Sequence, residues 1–180
     1  LNLQGFYVMN NQGDKRLGAV TKAMEYLYKI PERFHYLIKV VYFDSTNQPE
    51  KYFQAVKMHL KLFPNDLIAY HVMAQIYMAR GDFDNTVEQF KTIINIDPSQ
   101  HDILLYIGEI NQHHLHNNDE ALKYFIKSLK IREKIGDKYG IAYSFNNIGL
   151  IYFEQGNYEE AINYYKKSLK IKKEIENKLG

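Results

Sequence analysis

The sequence predicts an all-α fold of stacked antiparallel helix pairs, and three observations carry that prediction. The chain echoes itself: ALKYFIKSLKIREKIGDKYG at residues 121–140 and AINYYKKSLKIKKEIENKLG at residues 161–180 agree at 10 of 20 positions, 40 residues apart. Apolar residues recur three and four apart through nearly the whole chain, which holds only 4 Pro and 10 Gly. Pro64 and Pro98 lie 34 residues apart, each where an apolar run stops. Self-similarity at such a period means units that each bury one face against the next, so a surface is built instead of a reaction centre.

Taken in order, residues 1–32 read as a degenerate N-terminal helical pair. Residues 1–12 supply a first helix, Gly13-Asp14 a turn, and AVTKAMEYLYKIP a second helix. Residues 33–66 form a second degenerate pair, with Tyr36, Val40 and Phe43 on one helix and Val56 on the other, closed by Pro64. Gln48-Pro49 in its turn and Tyr52 where a small residue is expected depart from the pattern. Residues 67–100 are the most regular. Tyr70, Met73, Ala74 and Tyr77 keep helical spacing, Arg80-Gly81-Asp82 breaks it, Phe83, Val87, Phe90, Ile93 and Ile94 resume it, and Pro98 ends it.

Residues 101–141 repeat the theme with Leu104, Ile107 and Gly108, a turn HHLHNND, and Ala121, Phe125 and Ser128 on a lengthened second helix. Residues 142–180 repeat it again with Phe145, Ile148, Gly149, Tyr152, Gly156, Tyr158, Ala161, Tyr165 and Ser168. Here, too, LKIKKEIENKLG extends the second helix.

These units resemble the tetratricopeptide repeat (TPR), whose 34-residue pattern pairs a small residue on the first helix with an aromatic one on the second. Tyr70, Met73, Ala74, Tyr77, Thr86, Phe90 and Pro98 fall at its marked positions. The lengthened, proline-free units at the C-terminal end are similar to the 40-residue subclass found in kinesin light chains, Leu-Gly-Asn scaffolds and Rap regulators. The resemblance implies a right-handed α-solenoid, a TPR superhelix, whose first helices line a concave groove. Transferred onto this chain, the groove positions include His71, Gln75, Tyr106, Glu109, Tyr143, Asn146, Asn147 and Leu150, with Val41, Val72, Leu105 and Phe153 among their apolar neighbours.

The carboxylate clamp of chaperone-binding relatives needs Lys and Arg in the groove, and the transferred positions carry none. Asn147 matches the asparagine with which peptide-binding members of the 40-residue subclass hold a main chain, an amide being both donor and acceptor.

Composition narrows the alternatives. The net charge is only +2, with 12 Lys/Arg against 7 Asp/Glu in residues 121–180 and 11 against 14 before them, too mixed for nucleic-acid binding. The Lys-rich second helices, including Lys166, Lys167, Lys170, Lys172 and Lys173, read as a solvated outer face. Cysteine is absent, so packing alone must stabilise the chain. No apolar run reaches the ~18 residues of a membrane span, and no secretory signal opens the chain, which suits a cytoplasmic protein. It starts at Leu1, as a fragment or processed product would.

His113, His114 and His116 beside Asp119 and Glu120 fall in a turn without an i, i+4 pair, so no metal site is expected. No nucleophile elbow, phosphate loop, dinucleotide fingerprint or zincin motif occurs, and neither enzyme activity nor a cofactor is expected. The expected function is a protein-interaction module that holds a peptide or helix. Two further readings are the regulatory portion of a larger signalling protein, with a kinase, cyclase or transcription-regulator output, and self-association as a homodimer through Ile171, Ile175 and Leu179 at the open last repeat.

Overall fold

The computed structural model describes residues 13–176, and among these no strand occurs. The helices are α1 (Gly13–Glu25), α2 (His35–Ser45), α3 (Pro49–Leu62), α4 (Leu67–Ala79), α5 (Phe83–Ile96), α6 (Ile103–His113), α7 (Asn118–Ile135), α8 (Lys138–Glu154) and α9 (Tyr158–Glu176). Short 3-10 turns at Leu27–Lys29 and Glu32–Phe34 separate α1 from α2. The chain divides between Ile96 and Asp97 into two compact units.

Helix starts follow local chemistry. Asp66 accepts from the Ile68 and Ala69 amides at 3.0 and 3.1 Å and so satisfies two free donors at the start of α4. Asn117 does this for α7 through the Glu120 amide at 3.1 Å, and Asp137 for α8 through the Gly140 amide at 3.0 Å. Pro49 opens α3 from its first turn, where a missing amide hydrogen costs nothing.

The N-terminal end differs from the sequence expectation. Gly13 and Asp14 begin α1 instead of forming a turn, and the helix stops at Glu25, short of the expected Tyr-Leu-Tyr-Lys-Ile segment. Gly and Asp are common at helix starts as well as in turns, so residue type did not separate the two. A 3-10 turn follows at Leu27–Lys29, and Pro31 then disfavours helical geometry in the residue before it. Ile30 is extended, at φ −100° and ψ 137°. The first helix expected over residues 1–12 lies outside the described residues, as does Leu179.

In the first unit, Val40, Ala55, Val56, Ala69, Val72 and Met73 form a buried cluster, sealed by Phe43, Tyr52, Phe53, Leu60, Ile76 and Tyr77. Arg80 stacks over the Phe53 ring at 4.4 Å and pairs with Glu50 at 3.0 Å, covering the cluster's edge. In the second unit, Leu105, Ala121, Phe125, Ile148 and Ile151 form the core, with Leu122, Ile126, Leu129, Tyr152 and Tyr164 around it.

The small-and-aromatic pairing is physical. Phe125 is wholly buried, worth about 2–3 kcal/mol of apolar transfer. A Cβ on Gly108 would stand 2.4 Å from its ring, so only glycine lets α6 and α7 close on it. Ala74 and Phe90 are both buried in the first unit and occupy the same two places. The second helices of the second unit are longer, with 18 residues in α7 and 19 in α9 against 14 in α3 and α5.

Candidate functional site

Helical spacing sets the candidate residues out along first helices. On α4, His71 is half-buried with its ring edge-on to Phe90 at 6.1 Å, and burial lowers its pKa. Burial thus favours its neutral form. Gln75, one turn further on, is exposed.

In the second unit, α6 supplies Tyr106 and Glu109 while α8 supplies Tyr143, Asn146, Asn147 and Leu150. The Tyr143 phenol donates to Glu109 Oε1 at 2.6 Å and so ties the two helices together. Glu109 pushes the Tyr143 pKa up, first through that hydrogen bond and further through its charge, with burial acting in the same direction. The Asn147 amide opposes this, and the Tyr106 phenol adds to it. Tyr143 and Glu109 are thus in direct contact, with Asn147 close by and Tyr106 one turn before Glu109 on α6. Asn146 and Leu150 flank them, half-buried.

A second polar bridge spans the same two helices. Gln112 Nε2 donates to Glu154 Oε1 at 2.9 Å, and Asn118 Nδ2 reaches the other carboxylate oxygen at 3.3 Å. Glu109 and Glu154 thus sit at fixed positions, and among the described residues neither has an ion-pair partner. The only cation on α8, Lys138, is paired with Glu174 at 2.8 Å. Tyr106, Tyr143 and Phe153 remain about half exposed, at 56, 47 and 53%.

The structure places three groove candidates elsewhere than expected. Val41, Val72 and Leu105 are buried, Val72 and Leu105 inside the two cores, so the apolar part of the expected groove is smaller. Asn147 is buried too, at 8% exposure, and its Nδ2 completes no hydrogen bond although it lies beside the Tyr143 oxygen.

Sequence reasoning passed over the residue that aligns the two first helices. Arg132, buried on α7, donates through Nε to Ser128 Oγ at 3.0 Å and through its two terminal nitrogens to Asp137 and Asp102. One guanidinium thereby binds the start of α6 to the start of α8. Its visible signal was weak: one Arg among lysines in a charged extension, five residues before an Asp.

The lysines of α7 and α9 at positions 123, 127, 130, 134, 166, 167, 170, 172 and 173 are all exposed. Among the described residues no three His, Asp or Glu side chains come together to hold a metal ion, and no helix is long and apolar enough to cross a membrane.

Comparison with known proteins agrees with this architecture. Two models of the tetratricopeptide repeat match, one over residues 67–100 and one over residues 99–174. No curated protein matches significantly. Among solved structures, a crystal structure of MamA superposes with a TM-score of 0.72 at 17% identity, covering 98% of each chain. The MamA MSR-1 C2 structure gives 0.60 at 16%, covering 96% of this chain and 99% of that one. BtubC from P. vanneervenii gives 0.69 at 13%, over 93% of this chain and 76% of that one. At these identities the likeness concerns the fold alone, an all-α solenoid of helix pairs. With two repeat models spanning more than half of its length and the small-and-aromatic packing in both units, the chain belongs to the tetratricopeptide-repeat family.

Proposed function

We propose that this chain is a protein-interaction module whose second unit holds a peptide or helix segment against the α6/α8 face. The observation that carries the reading is the exposure of Tyr106, Tyr143 and Phe153 around two fixed carboxylates, Glu109 and Glu154. Aromatic rings left open on a surface favour partners, since they bury large area at little entropic cost. The lengthened α7 and α9 support kinship with the 40-residue subclass, whose members bind extended segments. Binding, not catalysis, in a cytoplasmic setting is the role that fits.

Self-association is a second reading, but through other α9 residues than the expected seam, since Ile175 is buried and Ile171 half-buried. Ile162 and Leu169 are 52% exposed, whereas Leu122 and Leu129, 40 residues earlier on α7, pack against their core. One sequence of measurements decides between the two. Peptides selected from a random display library are titrated against wild type and against a Tyr106→Ala/Asn146→Ala variant of unchanged helicity, each first run by sedimentation over a range of concentrations. Loss of at least about tenfold in affinity, a 1.4 kcal/mol effect, supports the α6/α8 face. Full retention places binding elsewhere. A concentration-dependent dimer abolished by Leu169→Lys supports self-association, and a monomer throughout removes it.

A further inference from the structure

We infer that the α6/α8 face recognises its partner through a Lys or Arg side chain seated on Glu109, and that Tyr143 is the latch this cation displaces. The inference rests on the reading of this face as a binding surface and adds the chemistry of the occupant.

Three observations lead there. Charge comes first: α6 holds no Lys or Arg, and the one Lys of α8 is already paired, so Glu109 and Glu154 present negative charge without a cation beside them. The chain as a whole is at +2, and α7 and α9 are studded with exposed lysines. A cation drawn to this face is therefore drawn by local complementarity and against the general field.

Ring geometry comes second. Tyr106 and Tyr143 stand beside Glu109, and a guanidinium that forks onto the carboxylate can lie over an aromatic face within about 6 Å. Elsewhere in this chain Arg80 already lies over an aromatic face, that of Phe53, while donating one hydrogen bond to a carboxylate, that of Glu50.

The third is an orphaned donor. Asn147, one helical turn from Tyr143 on α8, is more than nine-tenths buried, and its Nδ2 completes no hydrogen bond. Leaving a buried donor unpaired is costly, and the arrangement makes sense if Tyr143 moves. A cation on Glu109 competes with the Tyr143 hydroxyl for the carboxylate. Once the phenol is released, Nδ2 is opened to the main chain of the same segment, the role that the resemblance to the 40-residue subclass already implies for this position. Recognition of charge and recognition of backbone are thus coupled through one ring.

The test uses the full chain and three short, capped, fluorescent peptides in which Ser alternates with Arg, Gln or Glu, followed by anisotropy at low salt. The Arg peptide is expected to bind at least about tenfold more tightly than the Gln peptide, and the Glu peptide weakest. Glu109→Gln removes most of that preference, whereas Glu88→Gln, an exposed acid of the other unit, leaves it intact. Tyr143→Phe keeps the ring but frees the carboxylate, and strengthens Arg-peptide binding several-fold.

An Arg peptide that binds no better than the Gln peptide overturns the inference, as does a preference that survives Glu109→Gln. Unchanged affinity in Tyr143→Phe overturns the latch. If all three peptides bind alike and Tyr106→Ala weakens them together, the face binds chains without using charge, and only this inference falls. If none binds there, both readings fall. Helicity and melting temperature of each variant establish that the fold is intact.

Discussion

Two junctions between a second helix and the next first helix solve one problem with different chemistry. Between α3 and α4, buried His59 contacts Asp66 at 2.7 Å, and Asp66 caps α4. Between α7 and α8, buried Arg132 holds Asp137, and Asp137 caps α8. In each case a base on one helix fixes the acid that starts the next. The difference lies in reach. Imidazole offers two ring nitrogens, of which Nδ1 of His59 finds no partner, so the junction ends at Asp66. Guanidinium offers five donors in a planar fork, and Arg132 spends them on Ser128, Asp137 and Asp102. That extra reach ties α6 to α8 and sets the register of the face that carries Glu109 and Tyr143.

The largest expected effect separates the two junctions directly. Arg132→Ala leaves Ser128, Asp137 and Asp102 without their shared donor. Breaking a buried pair in this way costs on the order of 3 kcal/mol, toward the lower end of such losses because Asp102 is 70% exposed and water can take it over. Gly140 belongs to the same arrangement, since a Cβ there would collide with the guanidinium. The urea midpoint of the second unit should fall accordingly. A loss below about 1 kcal/mol would show that the three bonds are not cooperative and that the junctions are equivalent after all.

A smaller effect is expected at His59, because its surroundings are apolar. Leu37, Val40, Val56, Ala69 and Val72 line the small cavity beside it, and the Phe63 ring lies 4.8 Å away. His59→Leu therefore substitutes a side chain of similar volume that the site accommodates, removes an unpaired Nδ1, and loses one hydrogen bond, while Asp66 keeps its bonds to Ile68 and Ala69. The net change should be about 1 kcal/mol or less by urea denaturation. A loss as large as that of Arg132→Ala would mean that the imidazole, like the guanidinium, is indispensable.

The same contrast explains what was legible in the sequence. The approach of Gly108 to Phe125, and the burial of Ala74 and Phe90 at the equivalent places, are what the resemblance to the repeat family implied. Arg132 was opaque because its partner Asp102 lies 30 residues earlier and only the fold joins them. Asn147 was legible as a polar residue on the right helix but not as a buried one, since its burial depends on how the neighbouring helices pack. The burial of Val72 and Leu105 was hidden for a related reason: a first-helix face is open or closed according to how closely the neighbouring helices pack, which one repeat's pattern does not encode. Gly13 and Asp14 misled because the same residue types start helices and make turns.

The smallest effect concerns acid. His59, through its hydrogen bond, holds the Asp66 carboxyl below its ordinary value of 3.8, and the Ala69 and Ile68 amides add to this against the opposing influence of burial. A folded-state pKa below the unfolded one stabilises the fold fully above about pH 4, and that stability is lost as pH falls through the folded value. Asp66→Asn keeps an amide oxygen to cap α4 but carries no charge, so unfolding followed by urea at pH values from about 6 down to about 2.5 should show a shallower acid limb than wild type. The difference should stay below about 1 kcal/mol, because the carboxylate is partly open to water and its cap survives the change. Identical limbs would mean that the ionised form of Asp66 contributes nothing beyond the cap.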